Sequence, residues 1–92
     1  MNSEFEWDRE KADANLDKHG VTFEEAASVF FDPLSITIDD PKHSVGERRY
    51  VIVGHSILQR ILVVVHTDRG DMIRIISART ATPAEKRNYE RE

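Results

Sequence analysis

The feature that most limits how this chain can fold is the run Ile73-Arg74-Ile75-Ile76-Ser77-Ala78-Arg79, which leads straight into Thr82-Pro83-Ala84-Glu85 and a last Tyr89. The isoleucines read as a buried strand. Thr82 with Glu85 three residues on reads as a capping box, and Pro83 stands at the first position of the helix it opens. A strand rich in isoleucine that still carries arginine at two places has something anionic to meet, because burying a guanidinium is costly unless it is paired. Carboxylates from neighbouring elements would serve, and so would a phosphate. Both readings stand for Arg74 and Arg79.

At 92 residues the chain is expected to form one domain, 1–92, around a single modest core. With 39% hydrophobic and 33% charged residues it lies outside the composition range of disordered chains. It has no cysteine, so disulfides and thiolate metal sites are excluded, which fits a reducing cytoplasm. The acidic start and the shortness of the longest apolar run, Ile61-Leu62-Val63-Val64-Val65, predict neither a signal peptide nor a membrane span. Charge is distributed unevenly. Residues 1–44 hold 4 Lys/Arg against 11 Asp/Glu, whereas residues 45–92 hold 9 against 6, so a nucleic-acid surface belongs in the second half.

Asp8 can cap a helix running to Lys18, with Ala12, Leu16 and His19 on or near one face and Gly20 as its stop. Thr22-Phe23-Glu24-Glu25 reads as a second capping box, with Val21 and Ala26 as a hydrophobic staple and Phe23, Ala26, Ala27 and Phe30 as an apolar stripe. Asp32-Pro33 ends that helix. Leu34, Ile36 and Ile38 alternate as a half-buried strand, followed by a mobile-looking loop over residues 39–46. Strands are predicted at 48–54, 61–67 and 72–79, the last two joined by the turn Asp68-Arg69-Gly70-Asp71. The order predicts an α+β fold: helices on one face of a mainly antiparallel, four-stranded sheet, with residues 4–7 as a possible small leading strand. Trp7 reads as a core anchor.

Phe5-Glu6-Trp7-Asp8, Lys11, Asn15, Lys18-His19-Gly20-Val21, Phe23-Glu24-Glu25-Ala26, Asp32-Pro33, Glu47-Arg48, Gly54, Val63-Val64-Val65 and Arg74-Ile75-Ile76-Ser77-Ala78-Arg79 together resemble the BrnT toxins of bacterial type II toxin-antitoxin pairs. The likeness runs over residues 5–89. It implies a compact RelE-like ribonuclease fold with two N-terminal helices and one C-terminal helix, and RNA cleavage that halts translation. It also implies neutralisation by a DNA-binding BrnA antitoxin of the ribbon-helix-helix class, in a two-plus-two complex.

Metal-free RNA cleavage needs a group to take the ribose 2′-hydroxyl proton, a group to protonate the leaving 5′-oxygen, and cations to stabilise the phosphorane. Arginine suits the last task because its planar fork binds phosphate oxygens bidentately. Arg74 and Arg79 are the first candidates and Arg48 the third, with Lys18 and His19 as further RNA contacts. The proton-transfer candidates are His19, His66, Glu47 and Tyr89. His66 ends the strand whose hairpin partner carries Arg74, and its alternative role is a histidine exposed at a turn. His19 at a helix C-terminus can equally stabilise the helix. Glu47 can be a strand-start ion pair, and Tyr89 can close the core with its ring. His19, His43, His55 and His66 are scattered without metal-ligand spacing, and no Gly-rich phosphate loop occurs, so neither a metal nor a nucleotide cofactor is expected. A different class of function remains: a catalytically silent module that binds its antitoxin and tunes transcription, DNA being reached only through the partner.

Overall fold

The computed structural model describes residues 4–44 and 46–91; Val45, in the expected mobile loop, lies outside them. Strand β1 (Phe5–Glu6) leads into helices α1 (Arg9–His19) and α2 (Phe23–Ser28) and a 3-10 turn (Val29–Phe31). Strand β2 (Ile36–Asp39), a second 3-10 turn (Pro41–His43), strands β3 (Tyr50–His55), β4 (Ile61–Arg69) and β5 (Met72–Thr80), and helix α3 (Pro83–Glu90) follow. No helix among the described residues is long and apolar enough to cross a membrane.

The caps form much as the side chains dictate. The Asp8 carboxylate accepts from the N–H groups of Glu10 and Lys11 at 2.8 and 3.2 Å, and Gly20 closes α1 at φ 69°, a left-handed conformation that glycine adopts without a Cβ clash. Helix α3 carries the complete Thr82/Glu85 box. The box at α2 is only half made: Thr22 Oγ1 accepts from Glu25 N–H at 3.0 Å, but the Glu25 carboxylate turns inward to Arg60 Nε (2.9 Å) and Ser56 Oγ (2.7 Å). A carboxylate that is only 4% exposed needs a paired cation more than it needs the cap.

The sheet has five strands in the order β1-β5-β4-β3-β2 and is mixed, which corrects the four-stranded expectation. Strands β2 to β5 are antiparallel neighbours, while β1 runs parallel to β5 through Phe5 opposite Ile73 and Glu6 opposite Arg74. The small leading strand expected over residues 4–7 forms at Phe5 and Glu6, and its parallel pairing with β5 is what two residues without readable periodicity do not reveal.

One face is covered by the N-terminal helices, where Val21, Phe23, Ala26 and Val29 pack with Ile52, Leu62, Val64, Ile75 and Ala78. Each fully buried Leu, Ile or Phe here contributes about 1.5–3 kcal/mol. Trp7 joins this core, meeting Phe23 edge-on at 5.9 Å. Helix α1 departs from its expected apolar face: Leu16 is 46% exposed, and the residue that α1 buries is Asn15. Helix α3 lies across the opposite face, where Tyr89 packs with Ile61, Val63 and Ala81, so the helices are not all on one side. Gly54 marks a close approach of β3 to the turn before β2: a Cβ there would stand 3.0 Å from Asp32 Oδ2 and from Ser35 Cβ.

A bulge between β4 and β5 determines which side chains reach each face. Val65 pairs with Ser77 but His66 with Ile75, leaving Ile76 as the extra residue. Ile75 therefore enters the core under the helices, whereas Ser77 and Arg79 face the other way.

Candidate active site

The face that carries α3 holds an open cavity of about 850 Å³. Its floor is Val51, Val53, Val63 and Val65, with Ile36 and Ile38 of the edge strand β2 beside them. Polar groups ring this floor: Arg79 and Ser77 from β5, Glu85 and Tyr89 from α3, Arg49 before β3, and His19 from the end of α1.

Arg79 is the best-defined cation of the ring. Its two terminal nitrogens donate to the two Glu85 oxygens at 2.8 and 2.9 Å, and Glu85 also accepts from Thr82 N–H at 2.8 Å. The Arg79 bonds, more than any other influence, hold the Glu85 carboxyl far below its usual range, at about 2. The pair is one-third to two-fifths exposed, so the guanidinium is paired yet open to the cavity.

Arg74 sits elsewhere. It lies opposite Thr67 and donates to Glu6 at 3.3 Å, with Arg69 at 3.8 Å from the same carboxylate. Five residues of strand separate it from Arg79, roughly 15 Å by strand rise, so a single phosphate does not meet both. Both arginines have thus found carboxylate partners.

His66 does not reach the cavity. Alternation along β4 puts it with Leu62 and Val64 on the helix-covered face, where it is 5% exposed, edge-on to Phe30 (4.8 Å) and stacked on Tyr50 (5.6 Å). Neither ring nitrogen has a hydrogen-bond partner, and burial pushes its pKa down. The hairpin relation to Arg74 anticipated from sequence fails because the extra residue shifts the register by one. Glu47 is exposed and bonds Arg49 at 3.3 Å outside the cavity. Arg48 is 70% exposed beside Asp39, and Lys18 is exposed in the last turn of α1, next to His19.

Tyr89 is 7% exposed, and its hydroxyl donates to Asp32 Oδ2. Burial, reinforced by that carboxylate, pushes its pKa up to about 12, so the phenol keeps its proton. Burial alone would raise the Asp32 carboxyl, but the bonds from Tyr89, from His55 N–H at 2.8 Å and from Leu34 N–H at 2.9 Å outweigh it and hold Asp32 below its usual range. His55 Nδ1 stands 3.2 Å from the Tyr89 oxygen.

Sequence reasoning missed Glu85, Asp32 and His55 as site groups. Glu85 reads as a capping residue and Asp32 as a helix stop, and both do those local jobs as well. Nothing in spacing joins Asp32, His55 and Tyr89, which come from three elements. Among the described residues no three His, Cys, Asp or Glu side chains group as a metal site.

The fold is similar to that of the Brucella abortus ribonuclease toxin BrnT, known from a crystal structure at 1.1 Å, with a TM-score of 0.65 and 23% identity over 83% of this chain and 92% of that one. No curated protein matches the chain. The family described as ribonuclease toxin, BrnT, of type II toxin-antitoxin system matches residues 7–85, most of the length. By that match the chain belongs to the BrnT ribonuclease toxins of type II toxin-antitoxin systems.

Proposed function

We propose that this toxin, acting as one domain over residues 1–92, is an endoribonuclease that cuts RNA without a metal and so inhibits translation in the cytoplasm. The observation that carries this reading is the Arg79 guanidinium, held bidentately by Glu85 at the edge of an open cavity on the sheet. A phosphate offers the same pair of oxygens to the same fork, so an RNA backbone can take the place of Glu85. Arg79 then stabilises the charge that develops on the phosphorane. His19 on the cavity rim, with Lys18 beside it, contacts the RNA there, while Arg74 and Arg48 meet phosphates further along the strand. Glu47 bonds Arg49, and Arg49 lines the cavity, so Glu47 acts on the site through that arginine.

The valine floor favours a second occupant of the same place. A BrnA-type ribbon-helix-helix antitoxin in a two-plus-two complex silences the toxin by laying an apolar segment with acidic flanks over these valines and Arg79, blocking phosphate access. Operator DNA is bound by the antitoxin.

The test is a cleavage assay with purified toxin and RNA in excess EDTA, titrated with antitoxin. Cleavage that persists in EDTA and ends at one antitoxin per toxin is expected. Cleavage that vanishes with EDTA overturns the metal-free mechanism, and undiminished cleavage at saturating antitoxin overturns the blocking contact. A toxin that binds antitoxin but leaves RNA intact is the silent module instead.

A further inference from the structure

The chain of contacts from Asp32 through Tyr89 to His55 has a defined direction of hydrogen bonding. A tyrosine hydroxyl has one proton, and here it is given to Asp32, an ionised group that can only accept. The Tyr89 oxygen therefore turns a lone pair towards His55 Nδ1 at 3.2 Å, and that contact is favourable only when Nδ1 carries a hydrogen. In the neutral ring the other nitrogen, Nε2, then holds the lone pair. No described residue engages Nε2.

The surroundings grade from buried to open along this chain. The Asp32 side chain is 10% exposed and that of His55 is 43% exposed, so the anion is at the closed end and the imidazole at the solvent end. The ring is held from two sides: its main-chain N–H is tied to Asp32, and its plane stands edge-on to Tyr89 at 5.4 Å and 66°. His19 lines the cavity but has no such orienting bond, and His66 is on the far face. Of the three, only His55 combines a fixed ring, a fixed tautomer and an accessible basic nitrogen.

His55 also stands on the right face. Strand alternation puts it with Val53, on the floor side of the sheet; its ring opens on the neighbouring groove beside Asp32 and Ser56, with Tyr89, which lines the Arg79 cavity, against it. Val53, Val63 and Arg79 form one cross-strand row, and His55 pairs with Ile61 in the parallel row two residues along. By strand spacing the Cα atoms of His55 and Arg79 are roughly 12 Å apart.

We propose that His55 is the base that starts RNA cleavage, with Tyr89 and Asp32 as positioning residues that fix its ring and tautomer. The inference rests on the ribonuclease reading given above. The O2′–H bond breaks and its proton goes to Nε2, while the O2′ electron pair forms a bond to phosphorus. The P–O5′ bond then breaks, its electron pair leaving on O5′, which takes a proton from solvent. The products are a 2′,3′-cyclic phosphate and a 5′-hydroxyl end, and the imidazolium returns its proton to water. Among the described residues, Asp32, on the turn before β2, and Tyr89, on α3, are the titratable groups that face the ring.

The experiment compares purified wild type, His55→Gln, His55→Ala and Arg79→Ala on an RNA oligonucleotide under single-turnover conditions, with melting temperature, RNA affinity and pH profile measured for each. Glutamine can still donate to Tyr89, so His55→Gln should keep the fold and the RNA affinity while cleavage falls on the order of 10²-fold or more and loses its acid limb. Added imidazole should restore at least part of the rate to His55→Ala and none to Arg79→Ala. A His55→Gln rate within about threefold of wild type overturns the proposal, since a lost base costs far more. So does a folded His55→Ala that ignores imidazole. Wild type that leaves RNA uncut overturns both this inference and the ribonuclease reading, whereas equal cutting by wild type and His55→Gln overturns this one alone.

Discussion

Arg79 and Glu85 are joined by two hydrogen bonds, each guanidinium nitrogen on its own carboxylate oxygen, so the cation at the edge of the sheet cavity already holds an oxyanion. The same carboxylate closes the capping box of α3, which ties the start of that helix to the end of β5. One residue thus anchors a helix and occupies the place proposed for phosphate.

The pair makes a prediction about acid. Glu85 drops from 4.5 to about 2 in the fold, so its stabilisation is complete above pH 4.5 and is lost as the pH falls from there through about 2. Because both side chains are partly exposed, solvent screens the effect and keeps it small. Melting temperatures at pH 6 and pH 3 should show a smaller acid loss in Glu85→Gln than in wild type. An equal loss in the two proteins would show that the pair contributes nothing to acid sensitivity.

Asn15 fastens α1 to the outer edge of β5. Its amide donates to Ala78 C=O at 2.8 Å and accepts from Ala78 N–H at 3.1 Å, copying the two bonds of a strand partner, and it also reaches Val21 C=O at 3.0 Å. Asn15→Ala strands these buried backbone groups and should cost about 2–4 kcal/mol. In a domain of this size that lowers the melting temperature by roughly 10 °C or more. A denaturant midpoint equal to that of wild type would remove Asn15 from this role.

His66 carries the opposite kind of strain. Its ring lacks polar partners between Phe30 and Tyr50, and burial holds its pKa below 6.5. The nearby Asp68 charge opposes that shift without overcoming it. Its stabilisation is complete above 6.5 and is lost as the pH falls from there through the lowered value, because the unfolded chain takes up the proton first. His66→Phe keeps the aromatic contacts and removes both orphan nitrogens. Unfolding followed between pH 7 and pH 5 should be flatter in that variant, and a slope matching wild type would mean that another group titrates there.

Local chemistry made much of this fold legible in the sequence. Asp8, Gly20 and Thr82 start or stop their helices as their side chains dictate, and two apolar runs joined by the turn Asp68-Arg69-Gly70-Asp71 give the central hairpin. The failures are all non-local. The short β1 is expected, but its parallel pairing with β5 is not, and the side of the sheet chosen by α3 depends on Tyr89 reaching Asp32 across the fold. The bulge at Ile76 is invisible to a period of two, yet it sets Arg74 opposite Thr67, on the face away from His66. Arg79 and Tyr89 are readable as candidate site residues because one carries a charge along a buried strand and the other closes a helix. His55 was not, since its meaning comes from partners 23 and 34 residues away.

Arg79, on the open face of the sheet, is proposed to serve RNA phosphate chemistry. The most direct test is RNA cleavage by purified toxin, wild type against Arg79→Ala, with the melting temperature of each recorded beside the rate. Loss of one preorganised transition-state donor predicts a fall on the order of 10²-fold or more. Since the pair it breaks is partly exposed, the melting temperature should fall by only about 5 °C. Cleavage at the wild-type rate, or a loss of activity that simply follows unfolding, would show that Arg79 does not serve the phosphate.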